Sequence, residues 1–181
     1  MKCILVAIVC CGISCTLAQT SLAVELTPVR RTTIVTADPE ASLKFYRDLL
    51  GFIVEYDVRS TDSASLAILA LGATEGRAIA LRYGPKLGGS IGLFWAPGLK
   101  PPSKPCANPA PAGATAMLLL TDDLSALKER LDKAGVLPVA PSISYEHNRG
   151  PTDAYAVFDP NCVRVTFAEK HTESLTESMQ K

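Results

Sequence analysis

Two stretches of the chain carry the same pattern of apolar and polar positions. Thr32-Thr33-Ile34-Val35 is a β-rich run that leads to Asp38, and Met117-Leu118-Leu119-Leu120 is a second that leads to Asp122. An Asp at that point suits the N-cap of a helix, where its carboxylate accepts from an otherwise orphaned backbone N–H. Pro39 suits the first helical position, where a missing N–H costs nothing. Leu43, Tyr46 and Leu50 then fall on one stripe at helical spacing, as do Leu124, Leu127, Leu131 and Ala134. Gly51 and Gly135 follow as residues able to end a helix at positive φ. Asp38, Leu43, Lys44, Asp48 and Gly51 match Asp122, Leu127, Lys128, Asp132 and Gly135, each pair 84 positions apart. The chain is a tandem repeat.

Each predicted helix leads into a strand, Phe52 to Asp57 in one half and Val136 to Ala140 in the other. Further strands are expected at Arg77 to Tyr83 and Ser90 to Trp95, then at Ala154 to Phe158 and Val163 to Phe167. Ser63 to Leu71 reads as a short helix, because Leu and Ala outweigh β-branched residues there. Pro97 to Pro111 holds six prolines and cannot join a sheet. The pattern predicts an α+β domain over 29–169, made of two tandem βαβββ modules. Module one covers 29–96, the Pro-rich linker 97–111 and module two 112–169. A polar tail, 170–181, follows, in which Leu175 and Met179 could dock a last helical turn.

The N-terminus has a different character. Lys2 precedes a nearly unbroken apolar run from Cys3 to Cys15, and small residues follow at Thr16-Leu17-Ala18 and Ser21-Leu22-Ala23. This is the build of a secretory signal, 1–18, with cleavage after Ala18 or as late as Ala23. The run is short of the roughly 20 residues of a membrane span. An uncleaved anchor, or a lipidated Cys at 10, 11 or 15, are the alternatives. The expectation is an exported chain, periplasmic or secreted, with no membrane association after cleavage.

Composition narrows the function classes. A hydrophobic share of 48% against 20% charged describes a globular domain rather than a disordered chain. Eighteen basic and eighteen acidic residues cancel, so no excess positive charge is available to hold a nucleic acid. Of six cysteines, only Cys106 and Cys162 lie beyond the signal. A disulfide between them, pinning the linker to the last strand, and two free thiols both remain open, because sequence does not supply the Cα separation.

The run Arg31-Thr-Thr-Ile-Val-Thr-Ala-Asp-Pro-Glu-Ala-Ser-Leu-Lys-Phe-Tyr-Arg-Asp-Leu-Leu-Gly51, together with Phe158-Asp-Pro-Asn161 before the last strand, resembles the vicinal oxygen chelate superfamily. That superfamily includes glyoxalase I, bleomycin-resistance proteins and extradiol dioxygenases. The resemblance spans about Val29 to Glu169 and implies a glyoxalase-like fold, two modules forming a curved mixed sheet around a cleft. It also implies that the metal-dependent members would place ligands at Arg31, Gly92, Ala116 and Thr166. None of these is a His, Gln or carboxylate, and sliding each register by one residue recovers none. The expectation is no metal and no cofactor. Cys162 stands where the family's turn has a glycine.

Strand alternation selects what would face the cleft instead: Arg31 and Thr33, Phe94, Leu118 and Leu120, and Arg164 and Thr166. An apolar bowl with two guanidiniums and two hydroxyls suits an organic molecule bearing a carboxylate or other anion. The plain alternative is that both arginines merely pair with Glu25, Asp57 or Glu169. His147, beside Glu146 in a polar loop, is a candidate general base or simply a solvated histidine, and His171 is assigned no role. Trp95 and Tyr83 are candidate cleft-lining aromatics, the alternative being core packing, the commoner role of aromatics in strands. The glycines at 84, 88, 89 and 92 lack the order of a phosphate loop. The reading is an exported binder of a small organic molecule. Its alternative is an enzyme of the same fold, a lyase or isomerase or a dioxygenase-like protein, metal-free or with metal ligands at other positions. A homodimer is the expected assembly.

Overall fold

In the computed structural model, the described residues are 29–62, 66–67, 72–84, 89–147 and 150–169. The signal segment, His171, Leu175 and Met179 lie outside them, as does most of the helix expected over 63–71. Leu66 and Ala67 within it are helical, and Leu66 N–H donates to the Asp62 carbonyl at 3.2 Å.

Module one contains β1 (Arg31–Val35), α1 (Pro39–Leu43), a π-helical segment (Lys44–Leu49), β2 (Ile53–Ser60), β3 (Gly76–Arg82) and β4 (Ser90–Trp95). Module two contains β5 (Ala116–Thr121), α2 (Leu124–Lys133), β6 (Ile143–His147), β7 (Gly150–Phe158) and β8 (Arg164–Glu169). Both sheets have four strands with the same order, β1-β4-β3-β2 and β5-β8-β7-β6, and in each the first pair is parallel. The tandem βαβββ expectation holds in both halves.

The repeat departs from a gapless match in one place. Asp38 caps α1 by accepting from Ala41 N–H at 2.9 Å, but the cap of α2 is Asp123, not Asp122, accepting from Ala126 N–H at 2.8 Å. Asp123 N–H in turn donates to the Thr121 hydroxyl, as Asp38 N–H does to that of Thr36. Module one therefore carries one more residue between its cap and its helix-ending glycine. The surplus is absorbed where Leu50 N–H donates to the Phe45 carbonyl, the i→i−5 bond of a π-turn.

The strand expected at Val136 to Ala140 does not form; only an isolated bridge joins Pro138 to Val157. Pro138 and Pro141 lack the N–H that a ladder needs, so the second-module strand begins after them, at Ile143.

One face of each sheet, with its helix, enters a core shared by the modules. Ile34, Tyr46, Leu81 and Leu93 from the first half meet Leu131, Val157, Val165 and Phe167 from the second. At its centre the Tyr46 hydroxyl donates to Asp159 Oδ2 at 2.9 Å. Asp159 Oδ1 accepts from the backbone of Asn161 and Val163, and the Asn161 amide reaches back to Ser42 Oγ at 3.0 Å. The Asp-Pro-Asn turn of one module is thus fastened to the helix of the other. Burial, opposed by these hydrogen bonds, holds the Asp159 carboxyl above its usual range, and burial beside that carboxyl pushes the Tyr46 phenol up as well. Cys162, at the family's glycine position, takes φ 61°, so the turn keeps its left-handed residue despite the side chain.

Candidate functional site

Register decides which side chains stand on the face of each sheet turned away from the core. In sheet one, Thr33 pairs with Gly92 and Val35 with Phe94, while Ile34 between them is buried. Arg31, Thr33, Gly92 and Phe94 therefore share the open face. In sheet two, Ala116 pairs with Arg164 and Leu118 with Thr166, while Val165 and Phe167 enter the core. The alternation read from the sequence is correct for both.

Arg31 lies across this face. Its Nε donates to Ser90 Oγ at 3.2 Å, its Nη1 donates to the Tyr56 hydroxyl, and its Cζ sits 5.3 Å from the Tyr56 ring centre. Tyr56 is available there because of a bulge. Val54 pairs with Leu81 and Tyr56 with Ala80, leaving Glu55 as the extra residue. Without it Tyr56 would oppose Ile79 and turn into the core.

Gly92 makes the arginine's path. A Cβ at position 92 would stand 2.9 Å from Arg31 Cδ and 3.0 Å from Thr33 Oγ1, inside contact distance for both. Phe94 is on the same face but is sealed: it is 6% exposed and packs with Leu66 and Ala96 in a small second core. As a ligand-lining residue it is covered.

Arg164 has a different setting. Its Cζ lies 5.5 Å from the Phe158 ring centre, and its Nη2 donates to Asn108 Oδ1 at 3.2 Å. Its Nε is buried and has no acceptor among the described residues. Asn108 arrives on the linker, which is tied down by a disulfide between Cys106 and Cys162, with Cα atoms 5.3 Å apart. Of the two thiol states left open by the sequence, the bridged one is present.

Among the described residues neither arginine has a carboxylate partner, and Glu25, one of the three expected, lies outside them. Asp57 is held by Arg77 at 2.6 Å and accepts two hydrogen bonds from it, while Glu169 accepts from Leu124 N–H. Those hydrogen bonds from Arg77 hold the Asp57 carboxyl below its usual range. Arg31 and Arg164 stand on separate sheets with separate partners. His147 is not in a loop: its backbone ends β6, paired with Gly150, and its side chain lies outside what is described.

A groove of about 480 Å³ opens at the module boundary, along the free edge of β5. Leu50, Phe52, Ile91, Leu127 and Phe167 form its apolar floor, with Tyr83 and Arg130 at its margin. Of the residues expected from the sequence to face a cleft it takes in Tyr83, Leu118 and Leu120, but neither arginine nor Thr33, Phe94 or Thr166.

The chemistry of the inherited metal positions does not fit an ion. A guanidinium, a glycine, an alanine and a threonine offer one hydroxyl between them, and Arg31 occupies the space into which a ligand at 92 would project. No cluster of three His, Cys, Asp or Glu able to hold a metal occurs among the described residues. No helix among them is long and apolar enough to cross a membrane.

The sequence model of the Glyoxalase/Bleomycin resistance protein/Dioxygenase superfamily matches residues 29–167. Among solved structures, a glyoxalase family protein from Bacillus cereus superposes with a TM-score of 0.69 at 15% identity, covering 82% of this chain and 97% of that one. A glyoxalase/dioxygenase from Nostoc punctiforme gives 0.57 at 16%, covering 88% and 99%. The trypanothione-dependent glyoxalase I of Leishmania major gives 0.56 at 18%, covering 86% and 94%. At such identities the likeness is one of fold. No curated protein matches the chain.

Proposed function

Because the chain belongs to the Glyoxalase/Bleomycin resistance protein/Dioxygenase superfamily, we propose that it is an exported protein that binds a small organic molecule bearing a carboxylate or other anion, without a metal. The observation that carries this reading is the placement of Arg31. Its stem fills the space over Gly92, where family members that use a metal would present a ligand, and among the described residues its guanidinium has only neutral hydroxyl partners. A guanidinium without a carboxylate keeps its charge for a ligand. Thr33, Tyr56 and Ser90 add hydroxyls, and exposed Val35, Ile53 and Val58 add apolar surface on the same face.

A homodimer belongs to the same reading. Leu118, Leu120 and Ile143 leave the corresponding face of sheet two apolar and open, at 60%, 48% and 58% exposure. Half-bowls of this kind are completed when a second copy covers them.

The test is a thermal-shift screen of a small-molecule library with and without added Zn²⁺, Ni²⁺, Mn²⁺ and Fe²⁺. The reading predicts stabilising hits among carboxylates, unchanged by metals or by a chelator. Stabilisation by a metal alone, of the roughly 3–4 kcal/mol expected at 100–1,000 times its Kd, would overturn it. Turnover of a hit would move the protein to the enzyme class.

A further inference from the structure

Deepening the anion-binding reading above, we infer that the linker is a disulfide-held cover on Arg164, and that reducing Cys106–Cys162 opens this second arginine to a planar carboxylate. Three observations converge on the segment 104–108. The disulfide ties it to the turn before β8 across 56 positions of sequence. Two residues further on, Asn108 donates from Nδ2 to the Val139 carbonyl at 3.1 Å and accepts at Oδ1 from Arg164 Nη2. Beneath that contact, Arg164 Nε is shut away from solvent with no acceptor among the described residues.

A buried, unsatisfied N–H on a charged group is costly, and an arriving carboxylate would satisfy it in the fork geometry that a guanidinium offers. The adjacent Phe158 ring, 5.5 Å from Cζ, supplies a flat apolar wall. The ligand class is therefore a carboxylate on a planar, preferably aromatic, body.

The sulfurs are placed to be reduced. Lys104 Nζ lies 3.3 Å from Cys106 Sγ and 3.5 Å from Cys162 Sγ, so whichever sulfur leaves as a thiolate faces an ammonium. A dithiol is the co-reactant. One of its thiolates attacks a cysteine sulfur, the S–S bond breaks, and the second thiol resolves the mixed disulfide. The dithiol becomes a disulfide, while both cysteines take up its two electrons and two protons. With the covalent tie gone, the cover is held only by individually weak hydrogen bonds, against the freedom regained by the linker.

The experiment follows Arg164 Nε–H by ¹⁵N NMR in the full chain, oxidised and then reduced with dithiothreitol, and titrates each form with benzoate. The cover predicts slow Nε–H exchange when oxidised and fast exchange when reduced, with benzoate affinity rising about tenfold on reduction. Asn108→Ala, which keeps the disulfide, should give fast exchange without reductant, so the test survives if Cys106→Ser/Cys162→Ser fails to fold. Equal exchange in both redox states overturns the cover. Fast exchange on reduction with no benzoate bound in either form upholds the cover and instead defeats the anion-binding reading.

Discussion

Arg31 and Gly92 are complementary: the arginine stem runs where any side chain at 92 would have to stand, its Cδ 2.9 Å from where a Cβ would sit. The relationship ties a residue with no side chain to the orientation of Arg31. Gly92→Ala should therefore act on Arg31 rather than on the fold. Overpacking against a flexible stem costs about 1 kcal/mol, while Arg31 loses its hold on Ser90 and Tyr56. A crystal structure of the variant, with its urea midpoint, checks both parts; an unmoved Arg31 would refute the coupling.

Tyr46→Phe should destabilise the protein by about 1–3 kcal/mol, because it removes the phenol that donates to a buried carboxylate joining the modules. The urea midpoint should fall with the slope unchanged. The same carboxyl sets a pH trend. Asp159 has a folded pKa raised by burial, so its contribution to stability is complete below its unfolded value and is lost as pH rises through the folded one. Asp159→Asn should remove that decline.

Asp57 acts in the opposite sense. Hydrogen bonds from Arg77 lower its folded pKa, so its contribution is present above the unfolded value near 3.8 and disappears as pH falls through the folded one. The pair is partly exposed, so the loss should stay under about 1 kcal/mol. Comparing urea midpoints of the parent and Asp57→Asn from neutral pH down to acid pH measures it, and a parallel offset at every pH would exclude the ion-pair origin.

The fold was legible because each module repeats its own punctuation: β-rich run, capping Asp, apolar stripe, glycine. The misassigned cap shows the limit. Asp122 and Asp123 are neighbours, and only the extra residue in the π-turn of module one reveals which of them is equivalent to Asp38. The late start of β6 was available in Pro138 and Pro141, whose missing N–H groups weigh more than the apolar run around them. In the site, strand alternation placed Arg31, Thr33, Leu118, Arg164 and Thr166 on the faces turned away from the core, where the register has them. Their partners were out of reach. Tyr56 depends on a bulge, Asn108 on a linker fold fixed by a disulfide, and the sealing of Phe94 on a contact with Leu66 that no periodicity encodes.

Calorimetric titration of the full chain with benzoate, in the presence of EDTA, tests the metal-free anion site most directly. The account predicts binding that the chelator leaves unchanged and that Arg31→Gln weakens about tenfold, the worth of one charge-assisted contact. Binding that vanishes with EDTA and returns with Zn²⁺ or Ni²⁺, or that ignores the loss of Arg31, would contradict it.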